Sequence, residues 1–157
     1  MKIVTVREMF LSTIGDDRVL DVKTFESSVV NSRNFDIKWE QHLEYSVLAR
    51  KLGQLFRGKK AYIHFHEFGV WPSSENWHLF RALCHFCLQN KEFDLHCCIE
   101  FLKADGEALT SFLQLGLQFG WGGLIISDID HWFYFSHDSW GCLASSSEAD
   151  AALAKLY

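Results

Sequence analysis

A chain of 157 residues, 48% hydrophobic, 15% aromatic and 22% charged, has the size and composition of one folded domain that needs neither disulfides nor a structural metal for stability. It holds no apolar run near the ~20 residues of a membrane-spanning helix, and Lys2, Arg7 and Glu8 interrupt the first apolar stretch too early for a secretion signal. Residues 1–60 carry 11 Lys/Arg against 8 Asp/Glu, whereas residues 61–157 carry 4 against 12, an imbalance that disfavours nucleic acid and suits a basic protein partner.

The five cysteines are odd in number and lack the spacing of an extracellular disulfide framework, so a cytoplasmic location with buried free thiols is expected. Fourteen Phe, six Trp and four Tyr exceed what a core of this size demands. The surplus leaves room for an aromatic interface.

In chain order, residues 1–35 form a poorly defined segment. Val19 to Val22 and Thr24 to Val30 are short strand candidates, and Asn31 to Asn34 a turn. Asp36 is a plausible N-cap for a long helix to about Arg57, with Trp39, Leu43, Val47, Leu52, Leu55 and Phe56 on its apolar face and Gly58 as its stop. Ala61 to Phe68 alternates as a strand, with Ala61, Ile63 and Phe65 on one face and Tyr62, His64, His66 and Phe68 on the other. Gly69 to Ser74 then turns the chain through the sole proline, Pro72. Ser73 or Ser74 caps a helix to about Gln89, buried through Trp77, Phe80, Cys84, Cys87 and Leu88.

Leu95 to Leu102 is the next strand. Asp105 caps a helix whose Leu109, Phe112, Leu113, Gly116 and Phe119 face the core, and Gly120 ends it. Leu124 to Ser127 and Trp132 to Ser136 form a hairpin through Asp128-Ile129-Asp130, and a short helix follows Ser145 to Ser147. The order from residue 61 is β-α-β-α-β-β-α. Helical crossovers of this kind imply an α/β domain spanning 1–157 with a mostly parallel sheet, an antiparallel hairpin strand and a long amphipathic helix in front.

In such a sheet ligands gather beyond the carboxyl ends of the strands, which collects Trp71, Ser73, Ser74 and Glu75 with Asp105, Asp128 and Asp130; Trp132 follows in the hairpin. The plain alternative is two capped helices and a solvated turn. His64 and His66 share a strand face, and His96, Cys98 and His131 are near enough in the expected topology to complete a tetrahedral zinc site. Cys84-His85-Phe86-Cys87 lies inside a helix, where a redox pair lacks the helix N-terminus that activates a thiol. Ser136-His137-Asp138-Ser139 holds the letters of a catalytic triad, but sequence neighbours do not converge in triad geometry. Gly120-Trp121-Gly122-Gly123 matches no nucleotide loop, so no cofactor is expected.

The string Trp71-Pro72-Ser73-Ser74-Glu75-Asn76, with Phe112-Leu113-Gln114-Leu115-Gly116 and Phe119-Gly120-Trp121 further on, resembles a group of small bacterial proteins. The likeness extends over about residues 60–135, carries no assigned activity and implies no catalytic residues. Acidity, aromatic surplus and the lack of a catalytic signature point to a non-enzymatic binding protein of the immunity or antitoxin kind. Trp71, Trp77, Trp132 and Trp140 are its candidate anchors. The alternative is a metal-assisted hydrolase built on His64, His66 and nearby carboxylates; a homo-oligomer joined by its own aromatics is a third expectation.

Overall fold

Among the described residues, seven strands pair into one sheet in which every neighbouring pair is antiparallel. The computed structural model describes residues 1–15, 25, 32–37, 42–67, 78–79, 81–82, 85–86 and 97–144. In chain order its elements are β1 (Lys2–Thr5), α1 (Val6–Thr13), β2 (Ser32–Asp36), α2 (His42–Leu55), β3 (Ala61–Glu67), β4 (Cys97–Phe101), α3 (Gly106–Gln118), β5 (Gly122–Asp128), β6 (His131–Phe135) and β7 (Trp140–Ala144). Across the sheet the order is β1-β4-β3-β5-β6-β7-β2.

This overturns the mostly parallel sheet. β4, α3 and β5 do form a helical crossover between strands of the same direction, as the alternation of elements implied. The two strands are not neighbours, however, because β3 lies between them and runs against both. A crossover helix fixes the direction in which the chain returns; it does not fix which strand fills the gap. From β5 onward the chain is a meander of hairpins, with β6 and then β7 each folding back on its predecessor.

The two faces follow from strand alternation. One face presents Ala61, Ile63 and Phe65 of β3, Ile99 and Phe101 of β4, Ile125 of β5, Phe133 and Phe135 of β6 and Leu143 of β7. Helices α2 and α3 cover it through Tyr45, Leu48, Ala49, Leu52 and Phe56 and through Leu109, Phe112, Leu113 and Leu117. The expected apolar face of the first of these helices was therefore rotated: Leu52 and Phe56 are buried as foreseen, while Val47 and Leu55 are only half-buried. Asp36 does not cap it, since it ends β2 opposite Trp140. β2 also replaces part of the turn expected at Asn31 to Asn34. Gly58 stops the chain after α2 at φ +75°, and Gly120 after α3 at φ +62°.

Close approach explains two other glycines. A Cβ on Gly116 would sit 2.6 Å from Phe65 and 3.2 Å from Phe135. One on Gly141 would sit 2.9 Å from both Phe35 and Phe133, whose rings stack at 5.8 Å over it.

The opposite face presents Val4, Tyr62, Cys98, Leu124, Ile126, Trp132, Tyr134 and Ala144, against which Met9 and Phe10 of α1 and the helical residue Phe25 pack. α1 starts in a capping box: Thr5 Oγ1 accepts the Glu8 N–H at 3.2 Å, and Glu8 Oε2 accepts the Thr5 N–H at 2.7 Å. The Thr5 N–H, and after it the Thr5 hydroxyl, which donates to Glu8 Oε2 at 2.9 Å, hold the exposed Glu8 carboxyl below the usual carboxylate range. Among the described residues no helix is long and apolar enough to cross a membrane. The strand candidates at Val19 to Val22, most of Thr24 to Val30, and the final helix after Ser147 fall outside the described residues.

Candidate functional site

β3 enters the sheet beside Phe101 of β4 and Ile126 of β5, and it leaves beside Gly122. Its carboxyl end therefore lies at the opposite end of the sheet from those of β4 and β5. The grouping of the Trp71-to-Glu75 segment with Asp105, Asp128 and Asp130 needs parallel strands, so the antiparallel arrangement removes its basis. Trp71, Ser73, Ser74, Glu75 and His96 themselves lie outside the described residues.

At the far end Asp105 and Asp128 hold partners through their carboxylates, and Asp130 bonds through its backbone N–H. Asp105 Oδ2 accepts the Leu102 N–H at 2.8 Å and pairs with the Met1 ammonium at 3.1 Å. Burial pushes its carboxyl up, but these two contacts outweigh burial and hold it below the ordinary value. Asp128 Oδ1 accepts the Asp130 N–H at 3.0 Å and meets His131 Nδ1 at 2.7 Å, the geometry of a hairpin turn. Ser136 to Ser139 is likewise a turn, closed by Ser136 N–H donating to the Trp140 carbonyl at 2.9 Å, with Ser136 Oγ accepting the Asp138 N–H at 3.1 Å.

The chemistry concentrates on the face that carries α1. A buried carboxylate, Glu100, is 4% exposed. It receives the Tyr62 hydroxyl at 3.0 Å and Lys60 Nζ at 2.9 Å, and Lys2 Nζ stands 3.5 Å away. Burial, the largest single influence, opposes its ionisation, yet the bonds from Lys60 and Tyr62 and the two lysine charges together keep it below the usual range. Lys60 is raised in turn by Tyr62 and Glu100. The Tyr62 hydroxyl also meets Ser12 Oγ at 2.8 Å, which ties α1 to the sheet.

An aromatic row begins one pleat further along β3. His64 and His66 stack at 5.9 Å between ring centroids and His66 and Tyr134 at 5.3 Å, while Tyr134 and Trp140 meet tilted at 5.1 Å. His64 Nδ1 lies 3.1 Å from the Cys97 carbonyl, which can only accept, so this nitrogen carries the proton. His66 Nε2 bonds the Tyr134 hydroxyl at 3.2 Å. Hence the two expected metal ligands share a face, as strand alternation requires, and each engages a protein neighbour. His131 sits with Asp128 instead. Among the described residues no three His, Cys, Asp or Glu side chains group as a metal site. Burial pushes the Cys98 thiol well above the ordinary thiol range.

Where the row reaches β6 and β7, it borders a cavity of about 200 Å³ lined by Phe25, Ser32, Asn34, Trp132, Tyr134, Trp140 and Cys142. Trp132 and Trp140 were singled out from the sequence. Phe25, Ser32, Asn34 and Cys142 were not, because β2 and β7 were not foreseen. The alternation of Trp140-Gly141-Cys142-Leu143-Ala144 was a usable signal for β7; Ser32-Arg33-Asn34-Phe35-Asp36 holds a single apolar residue and offered none.

A third feature is helical. His78, Leu79, Arg81, Ala82, His85 and Phe86 are in helix and exposed. Leu79, Ala82 and Phe86 recur at i, i+3 and i+7, so they form one stripe. Phe86 is 86% and Leu79 53% exposed. The expected burial of this segment through Trp77, Phe80, Cys84, Cys87 and Leu88 falls on residues outside those described.

No protein-family model matches the chain, and neither the curated proteins nor the solved structures give a match.

Proposed function

We propose that the chain is a non-enzymatic protein-binding domain of the immunity or antitoxin kind, which docks a basic protein partner through the Leu79–Ala82–Phe86 stripe. The observation that carries this reading is the exposure of Phe86, 86% of whose surface faces solvent on the same stripe as Leu79. Large apolar side chains in line on one helix are a common docking device, and aromatic residues are enriched where interfaces are fully buried. The net charge of −8 over residues 61–157 steers and selects a basic partner. His78, Arg81 and His85 flank the stripe and supply its polar rim.

The test is a paired affinity capture from native host lysate, using the full chain and its Phe86→Asp variant. An exposed side chain can be replaced within about 0.5 kcal/mol of the original stability, so both proteins are expected to melt alike. The wild type retains a near-stoichiometric basic partner that high salt releases, and the variant loses it by about 30-fold or more, the effect of a central anchor. Equal retention by the variant, or a dimer in light scattering that Phe86→Asp abolishes, overturns the reading; the latter would place a second copy on the stripe.

A further inference from the structure

We infer that the groove between α2 and α3 is a site for a small anion that carries two or more phosphate groups. This is independent of protein docking, since no described residue of the groove belongs to the helical stripe.

Helical spacing builds one wall. Arg50, Gly53 and Gln54 of α2, with Arg57 in the turn after it, recur at i, i+3, i+4 and i+7, so they share one face. The Arg57 N–H bonds the Gln54 carbonyl at 3.2 Å, which carries that face past the end of the helix. Lys103 and Asp105 from the loop after β4, with Gly106, Glu107 and Thr110 of α3, make the other wall. A Cβ on Gly53 would collide with the Thr110 hydroxyl, so the glycine lets the two helices come into contact beside the groove. The groove holds about 790 Å³, within the range of small-molecule sites, roughly 300–1,000 Å³.

Charge sets the class of ligand. Arg50, Arg57 and Lys103 are exposed and line the groove. Among the described residues none of the three is ion-paired. Arg50 donates from Nε to the Ser46 carbonyl at 3.2 Å, a bond that leaves both terminal nitrogens of its fork to other acceptors. Of the acids in the described lining, Asp105 is neutralised by the Met1 ammonium at 3.1 Å and accepts the Leu102 N–H at 2.8 Å. Glu107 is then the one carboxylate set against three cations. The groove is thus locally positive in a chain whose net charge is −5, which confines the attraction for an anion to a small area.

Phosphate suits these walls better than a carboxylate does. Its oxygens point in tetrahedral directions and meet donors from both sides of a groove, while a guanidinium fork grips two of them at once. Arg50 and Arg57 stand roughly 10 Å apart along the helix axis, and Lys103 is on the other wall. Several phosphates on one molecule therefore engage more of the cations than a single phosphate can. Asp105 makes no side-chain cap bond to α3, so the first-turn N–H groups add to the positive potential near Lys103. They supplement the three side chains and make no site alone. A long nucleic-acid backbone is disfavoured by the net charge of −5, which favours a molecule no larger than the groove.

The probes are tripolyphosphate, orthophosphate, citrate and a short oligodeoxythymidylate, each titrated calorimetrically into the full chain at low salt without magnesium. Tripolyphosphate is expected to bind saturably with a Kd below about 0.1 mM, at least about tenfold tighter than orthophosphate or citrate, and to weaken as salt is added. Adenosine triphosphate and a sugar bisphosphate separate the sources of the phosphates: saturable binding of either supports the site, and the tighter one names the source. Arg57→Gln and Lys103→Gln each remove one charge from an exposed side chain, so the melting temperature holds. Each weakens tripolyphosphate about three- to tenfold, the effect of one hydrogen-bonded contact. Arg7→Gln removes an exposed charge from α1 and leaves the affinity as it was. The proposal is overturned if tripolyphosphate gives no saturable heat up to about 10 mM, or if Arg7→Gln weakens it as much as Arg57→Gln. It is equally overturned if citrate binds as tightly, or if the oligonucleotide binds more tightly than tripolyphosphate. Should one variant fail to fold, the other variants and the probes on the wild type decide alone.

Discussion

Beneath α2 and α3 the strands offer only hydrocarbon to the core, led by Ile63, Phe65, Phe101, Phe133 and Phe135. Seen from α1, the same strands show Tyr62, His64, Glu100, Trp132 and Tyr134, and all five are buried. A period of two sends successive side chains to opposite sides, so one stretch such as Ala61-Tyr62-Ile63-His64-Phe65 writes both faces at once. The first face is held by packing, with Phe rings over Gly116 and Gly141. The second face holds buried polar groups in place by hydrogen bonds, and it contains both the carboxylate network and the cavity. Buried polar groups stabilise only while their partners remain, so this face is the more sensitive to pH.

The contrast is broken most forcefully by Phe135→Ala, which removes a fully buried ring that packs on Phe65 at 6.2 Å. The expected loss is about 3–5 kcal/mol in urea unfolding, with no change in its pH dependence. Glu100→Gln strikes the other face. It retains a group that can accept from Tyr62 but discards both lysine pairs, and about 1–2 kcal/mol is lost at neutral pH because Lys60 and Lys2 stay solvated. The folded-state value of Glu100 lies below that of the unfolded chain, near ~4.3. Its stabilisation is therefore present above that unfolded value and disappears as the pH falls through the lower, folded one. Unfolding curves of the wild type should weaken over this acid range, and those of the variant should weaken less. The smallest effect belongs to Thr5→Ala. It removes the capping box of α1 and costs about 1 kcal/mol, read as a lower melting temperature.

Local features were legible where a residue's own neighbours decide them. The two faces of β3 follow from alternation, the inward side of α3 from Leu109, Phe112, Leu113 and Gly116, and both helix stops from Gly58 and Gly120. β1 and β2 were not legible. Each is a short edge strand, and Ser32-Arg33-Asn34-Phe35-Asp36 becomes a strand because β7 supplies a ladder for it. With β2 and β7 unseen, the cavity they floor was out of reach, although Trp132 and Trp140 stood out individually. His64 and His66 were rightly placed side by side, but His131 is drawn away by Asp128 in its own turn.

The amino-acid pattern by itself determined which segments form β3, β4, α3, β5 and β6, and which side of β3 and α3 turns inward, because these depend on spacing along one strand or helix. Tertiary structure alone decided that β3 slips between β4 and β5, and with it the antiparallel sheet and the separation of strand ends that had been expected to meet. Alternation looks the same whichever way the neighbouring strand runs, so strand direction is settled only by which backbones pair.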